Sequence, residues 1–349
     1  MPEQVLSVGE VLRRLQAAGR LDEAGVERIT QHLAVTSAAA ETPWYIKLLM
    51  AVGAWVAAIC FLVFMGMAEL ISSKPGPLLA WGFAFIALAV ILYRRTQHVF
   101  VAQLALAMSV AGHSMILFGA YEQIERFGAV PLVAAILCAV LYALYEDSVH
   151  RFLSCLAVTF TATAWLLTAD LHHGLHALIL LETIGLGCLF TDRWLSSALR
   201  PMAYALAVSI PLTLYLAVAS YLEIHTRWWP SKIVMAAGLI WLYQWAAGGK
   251  ESLRREPIIW AVVVTVMLGL VSTPGILAAI GLAVLGYARR DAVVLSLGLI
   301  FMPAFIVAYY YDLNVDLATK SWIMAGSGVV LLAARWYLSR RPWASEEVS

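Results

Sequence analysis

Residues Trp44 to Phe64, WYIKLLMAVGAWVAAICFLVF, form an apolar run of 21 residues in which Lys47 is the single charged side chain. A helix of about 20 apolar residues spans the hydrocarbon core of a bilayer, where every backbone donor and acceptor must pair within the segment. This stretch therefore predicts a transmembrane helix that begins near Trp44.

The same pattern recurs along the chain, which is 62% hydrophobic and only 13% charged, against about a quarter charged in soluble domains. The sequence predicts an all-α fold, a polytopic membrane helix bundle of about 12 transmembrane helices. A second count, ten full spans and a re-entrant hairpin, stays open because Pro257–Val271 and Gly275–Tyr287 are short. The twelve segments are 44–70, 77–93, 100–121, 128–145, 152–169, 174–190, 201–222, 232–247, 257–271, 275–287, 292–309 and 320–338.

The chain ahead of the bundle reads as a soluble helical hairpin and a linker, residues 1–43, in which Asp22 is expected to cap the second helix. No apolar signal-peptide region precedes Trp44, so this hairpin is predicted to stay in the cytoplasm. The bundle is predicted to cover residues 44–340, and residues 341–349 form a cytoplasmic tail.

The basic residues predict the orientation. With the N-terminus inside, 18 of the 23 Lys and Arg fall on the inner side, and the other five are Lys74, Arg126, Arg227, Lys232 and Lys320. This asymmetry follows the positive-inside rule. The prediction is a multi-pass protein of a bacterial inner membrane with both termini in the cytoplasm.

Charge and cysteine content exclude several other classes. The net charge of +1 provides no basic field for a nucleic acid, so the expected surroundings are the lipid bilayer and membrane partners. All four cysteines fall in apolar runs without metal-ligand spacing and are expected to be small core residues. Phosphate loops, a nucleophile elbow and a carboxylate dyad are absent from the sequence. No cofactor is predicted. Whether the protein is an enzyme stays open, and the sequence favours a protein that is not one.

Three stretches carry a resemblance to known families. Residues 43–64 and the closing YYYDLNVDLATKSWIMAGSGVVLLAARWYL resemble an uncharacterised bacterial multi-pass membrane family, the domain of unknown function DUF4401. The LxxxGRLDEAGVERI pattern of the hairpin is similar to the leader of a second uncharacterised membrane family, DUF2157. Members of these families tend to be encoded beside a small membrane protein with a GDYxxLxY motif. The resemblance therefore implies a membrane complex with a small partner, and it implies no chemistry.

Two ionisable residues lie at equal predicted depth. Glu182 and His113 are each eight residues, about 12 Å, from the outer ends of their segments, where an unpaired charge is costly. They form a candidate proton-binding or substrate-binding pair. The alternative is a protonated Glu182 that is hydrogen-bonded to a neighbouring Ser, Thr or carbonyl group.

A histidine cluster lies at the outer surface. Asp170, His172, His173 and His176 have the spacing that would put ligand-type nitrogens on one helical face, and they could bind zinc or copper. The cluster lacks the glutamate of a zinc-protease motif, so plain interfacial polar residues are the alternative.

Three charges at a spacing of four residues occupy the last outer loop. Asp312, Asp316 and Lys320 would stack as ion-pair partners on a short helix and provide a docking surface for a partner. An ordinary capped loop is the alternative.

Three functions compete at this point. The first is a noncatalytic subunit of a membrane complex with a small membrane partner. The second is a transporter or flippase that uses the buried Glu182 and His113, and the third is an intramembrane enzyme built on the histidine cluster. A polar cavity that reaches the buried residues would favour transport, whereas an apolar lateral groove would favour a partner subunit.

Overall fold

The computed structural model describes residues 44–68, 74–95, 98–191, 198–218, 229–249 and 254–312, together with isolated positions outside these ranges. Within the described residues the chain is helical and contains no strand. A 3-10 turn, Phe127–Ala129, leads into the fourth helix. The helices are α1 Trp44–Met67, α2 Pro75–Arg95, α3 Val99–Ile124, α4 Val130–Leu144, α5 Ser148–Thr168, α6 His172–Thr191, α7 Arg200–Val218, α8 Trp229–Ala246, α9 Glu256–Val271, α10 Pro274–Arg289 and α11 Ala292–Asp312.

These helices confirm the helical membrane fold. Each of the first eleven predicted segments coincides with one helix. Among the described residues, seven helices are long and apolar enough to cross a membrane, namely α1 to α6, with the 3-10 turn counted in α4, and α11. The doubtful pair, α9 and α10, forms two helices of 16 residues each, joined by Ser272 and Thr273. The twelfth segment, 320–338, lies outside the described ranges, so the count of twelve spans and the position of both termini stay predictions.

The N-terminal hairpin is described only at isolated positions. The backbone N–H of Gly25 donates a hydrogen bond to Asp22 Oδ1 at 2.9 Å, which confirms Asp22 as a helix cap. The rest of residues 1–43, and the tail 341–349, lie outside the described residues.

The chain divides into two compact units, each of which has its own packing. One unit joins α1 with the stretch Ile91–Met108. In it, a Cβ added to Gly53 would lie 4.0 Å from the ring of Phe100, which is an ordinary van der Waals distance. Helix α1 exposes large apolar side chains along its length, among them Leu49 and Met67. Such a surface is stable in lipid and not in water.

The second unit holds Ile71–Val90 and the residues from Ser109 onward. Its largest core is built from α6, α7, α8, α10 and α11, and α10 packs against four other helices. Helices α10 and α11 approach so closely that a Cβ on Gly298 would lie 2.6 Å from the backbone nitrogen of Ala283. Asp291 closes their corner, since Oδ1 accepts hydrogen bonds from the first turn of α11 and Oδ2 accepts one from the Tyr204 hydroxyl of α7.

Helix α5 joins this core to a smaller group of helices. It packs against α4, α6 and α7, while Ile86, Ile116 and Leu141 form a small cluster between α2, α3 and α4. Helices α2 and α3 meet at Gly82 and Gly112, where an added Cβ on Gly112 would lie 2.7 Å from the carbonyl oxygen of Gly82. Small residues are what allow such close contacts between membrane helices.

The expectation that all four cysteines are core residues is wrong for two of them. Cys60 and Cys188 are exposed on their helices, whereas Cys155 is buried and Cys138 is half-buried. The sulfur atoms of Cys138 on α4 and Cys155 on α5 lie 3.7 Å apart. A sulfhydryl costs little to expose to lipid, so apolar surroundings in the sequence do not distinguish a core position from a lipid-facing one.

We expect Gly298→Ala to lower the stability of the protein by about 1–3 kcal/mol, because the added methyl forces α10 and α11 apart. Thermal unfolding in detergent measures the change. Gly76→Ala is the matched control, since a Cβ there meets nothing within 4 Å. Equal melting temperatures for the two variants would contradict the close contact of α10 and α11.

Candidate functional site

A buried histidine pair lies between α3 and α5. His150 Nε2 is hydrogen-bonded to Ser109 Oγ at 2.8 Å, and His113 Nδ1 donates to the Ser109 carbonyl oxygen at 3.3 Å. The two imidazole rings are 5.5 Å apart between centroids, and the buried ring of Tyr145 is 4.4 Å from that of His150. Ser109 therefore holds both histidines, one through its side chain and one through its backbone.

Each histidine has one nitrogen without a partner among the described residues, Nε2 of His113 and Nδ1 of His150. Because Nδ1 of His113 donates to a carbonyl group, Nε2 of the neutral ring is a bare lone pair that can accept a proton. Two imidazolium charges at this separation would repel each other in a medium of low dielectric constant. The pair is therefore suited to bind one added proton, which makes one of the two rings an imidazolium.

Two adjacent cavities lie beside the pair. A cavity of about 90 Å³ is lined by His113, His150 and Ser154. A wider one, about 890 Å³, lies at the C-terminal ends of α3 and α5, where Tyr121 and Trp165 line it. The two cavities share the wall residues Ser114, Leu117 and Ala157.

Glu182 is buried on the other side of α5. It is 3% exposed, and its Oε1 accepts a hydrogen bond from Ser209 Oγ of α7, while Oε2 has no partner among the described residues. The alternative named above, a hydrogen bond between Glu182 and a neighbouring Ser, Thr or carbonyl group, is met by Ser209. Protonation of Glu182 stays a prediction. A buried carboxylate oxygen without a partner costs free energy, so this position calls for a neutralising group.

The structure places no hydrogen bond or ion pair between the predicted partners His113 and Glu182. Ser154, in the histidine cavity, and Thr163, beside Ser209, are nine residues apart on α5. Nine residues are two and a half helical turns, so the two sites lie on opposite faces of α5. The prediction compared only the depth of the two residues along the membrane normal, and depth does not give their lateral positions.

The structure describes the side chains of three of the four residues in the predicted histidine cluster, Asp170, His173 and His176. Asp170 adopts a left-handed conformation with φ of 55° and ends α5, with Leu171 N–H donating to the carbonyl of Leu166. His176 Nδ1 is hydrogen-bonded to Ser231 Oγ at 2.7 Å, and its ring centroid is 6.5 Å from that of the exposed His173. No group of three metal-ligating side chains occurs among those that the structure describes. The side chain of His172 lies outside them, so the metal site stays a prediction.

The proposed docking charges lie beyond the described part of the chain. Helix α11 ends at Asp312, whose side chain is not described, and Asp316 and Lys320 fall in the range that follows.

His150 is the site residue that the sequence reading missed, because the fifth segment was predicted to begin at Phe152. The helix begins at Ser148, four residues earlier, and Asp147 caps it by accepting a hydrogen bond from the His150 backbone N–H at 2.8 Å. An Asp directly before a helical run is a recognisable N-cap residue. That signal would have placed His150 inside the helix.

A model of the family called domain of unknown function DUF4401 matches residues 43–341. The chain belongs to this family. No curated protein and no solved structure matches the chain. Family membership carries no assigned activity, so the argument for function depends on the geometry of the buried polar residues.

We expect Ser109→Ala to destabilise the protein by about 1–3 kcal/mol, because it leaves His150 Nε2 buried without its partner. Ser114→Ala is the matched control on the same helix, since that exposed hydroxyl bonds only to the carbonyl of Val110 in its own helix. The control should change stability by less than about 0.5 kcal/mol. Unfolding by heat or by a denaturing detergent measures both, and equal losses would mean that the Ser109 to His150 bond contributes nothing specific.

Proposed function

We propose that the protein is a membrane transporter in which protons enter from the outer face and bind to the pair His113 and His150. The observation that carries the proposal is the adjacency of the two cavities, which share the wall residues Ser114, Leu117 and Ala157. Ionisable residues inside a membrane bundle that border a cavity are typical of proton and substrate pathways. The wider cavity, of about 890 Å³, has room for the water that would deliver protons to the pair.

The proposed direction follows from the charges at the helix ends. Arg94 and Arg95 lie in the last turn of α2, and Arg151 lies in the first turn of α5, at the end of that helix opposite to Trp165. The positive-inside rule then puts the wide cavity on the outer side of a bacterial inner membrane. Twelve spans with both termini in the cytoplasm are part of the same proposal.

The resident chemistry is a single proton transfer. His113 Nε2, a bare lone pair in the neutral ring, takes a proton from a hydronium ion in the cavity, which becomes water. The Nδ1–H group keeps its hydrogen bond to the Ser109 carbonyl oxygen. Charge repulsion between the rings then disfavours a second proton on His150, so the proton can pass from one imidazole to the other. His150 lies in the first turn of α5, at the inner end of the path.

We expect liposomes of phosphatidylcholine and phosphatidylglycerol that contain the full chain to take up protons when a potassium gradient and valinomycin make the interior negative. A pH-sensitive dye inside the vesicles measures the flux. His113→Asn and His150→Asn should reduce the flux to that of protein-free liposomes, because each removes a proton acceptor.

His98→Asn is the matched control, since His98 is exposed. It should leave the flux unchanged. Wild-type flux at the level of protein-free vesicles, or flux that survives in both histidine variants, would contradict the proposal. Size-exclusion profiles of each variant establish that it is folded.

A second candidate, a noncatalytic subunit with a small membrane partner, is supported by a different feature. A groove of about 80 Å³ between α6, α7, α8 and α10 is lined almost wholly by apolar side chains, with Thr183 as the one hydroxyl. Gly281 lies in its wall, and a Cβ there would meet nothing nearer than 4.0 Å. Such a groove has room for a large apolar side chain from a partner helix, of the kind that a small GDYxxLxY protein would supply.

Gly281→Leu fills the groove and should reduce the amount of a small membrane protein that copurifies in mild detergent, as quantified by mass spectrometry. Gly76→Leu is the control, because its position is open and outside the groove. If no small membrane protein copurifies with the wild type, the subunit role is wrong.

A further inference from the structure

A water-sized void lies on the face of α5 opposite to the histidine pair. Its volume is about 10 Å³, which is enough for one water molecule or one small ion. Four hydroxyl side chains line it, from Thr159 and Thr163 of α5 and from Ser209 and Thr213 of α7. The remaining wall is apolar.

The hydroxyl protons around this void are all engaged elsewhere. Thr159 Oγ1 donates to the carbonyl of Leu156, and Thr163 Oγ1 donates to the carbonyl of Thr159. Because Thr163 uses its proton in that bond, Thr213 is the donor in their 3.1 Å hydrogen bond. Ser209 donates to Glu182. Each oxygen therefore keeps lone pairs and no proton for an occupant.

A site of this kind selects the charge of its occupant. An anion would find no donor, and a water molecule has two protons for four acceptor oxygens. A cation interacts with every lone pair at once, and hard cations such as Na⁺ prefer oxygen ligands of this type. The size of the void limits the occupant to an ion that has lost its water shell.

Glu182 supplies the opposite charge. It is 3% exposed, it is joined to the void through its hydrogen bond with Ser209, and its Oε2 has no partner among the described residues. A buried carboxylate needs one positive charge nearby. A proton neutralises a carboxylate without any further ligand, whereas a metal cation needs several oxygen ligands. The neighbouring hydroxyl groups supply these oxygens.

We propose that Glu182, Ser209, Thr163 and Thr213 form a binding site for one dehydrated monovalent cation of the size of Na⁺. The site is separate from the histidine cavity, because α5 lies between them with one site on each face. The void shares no wall residue with the histidine cavity and one, Phe160, with the wider cavity. The two proposals depend on different polar groups, so either one can fail without the other.

Thermal unfolding of the purified full chain in detergent tests the proposal, with NaCl compared with choline chloride at equal ionic strength. Because Na⁺ binds only the folded state, the melting temperature of the wild type should rise with Na⁺ concentration. Glu182→Gln and Thr213→Val should lose this rise. Binding of radioactive ²²Na⁺ to the wild type gives a second measurement that needs no variant to fold.

Thr191→Val is the matched control, since that hydroxyl donates only to the carbonyl of Gly187 in its own helix. It should keep the Na⁺ effect, and so should His113→Asn, which distinguishes this site from the proton pathway. The proposal is overturned if wild-type protein melts at the same temperature in both salts and binds no ²²Na⁺. A Na⁺ effect that persists undiminished in Glu182→Gln overturns it as well.

Discussion

A polar group inside a bilayer must find its partner within the protein, because the surrounding lipid offers none. Helix α5 shows the effect of this constraint most clearly, because it carries polar side chains on two faces. Ser154 lies on one face and Thr163 on the other. The first face meets α3 and the buried histidines, and the second meets α7 and the partners of Glu182. The two candidate sites exist because one polar helix runs between two groups of apolar helices.

The packing around α5 explains why its polar side chains are tolerated. Threonine hydroxyls on α5 donate to carbonyls of their own helix, so they bring no unsatisfied proton into the core. Their oxygens still accept hydrogen bonds or ions from neighbouring helices. The apolar core of α6, α7, α8, α10 and α11 holds α7 in place through close contacts, including the bond from Tyr204 to Asp291. The apolar side chains of this core thereby fix the position of the polar side chains between α5 and α7.

The sequence predicted the helices well and the sites only in part. Long apolar runs fix where helices form, because backbone pairing in lipid leaves no alternative, and so the first eleven segments were found. The depth of a residue in a transmembrane helix also follows from residue count, and this count places Glu182 and His113 at equal predicted depth. Lateral position does not follow from residue count. The sequence could not show that α5 separates these two residues, or that Ser109 and Ser209 are their partners. His150 was missed for a local reason, a helix start placed four residues too late.

A cysteine scan of α5 tests the two-faced arrangement most directly. In a chain without its four natural cysteines, single cysteines replace Ala157, Thr161 and Thr168 on the cavity face and Thr159 and Thr163 on the opposite face. A membrane-impermeant thiol reagent is then added outside reconstituted vesicles. The account predicts that positions 157, 161 and 168 react and that positions 159 and 163 are protected. Equal reactivity on both faces, or protection of every position, would contradict it.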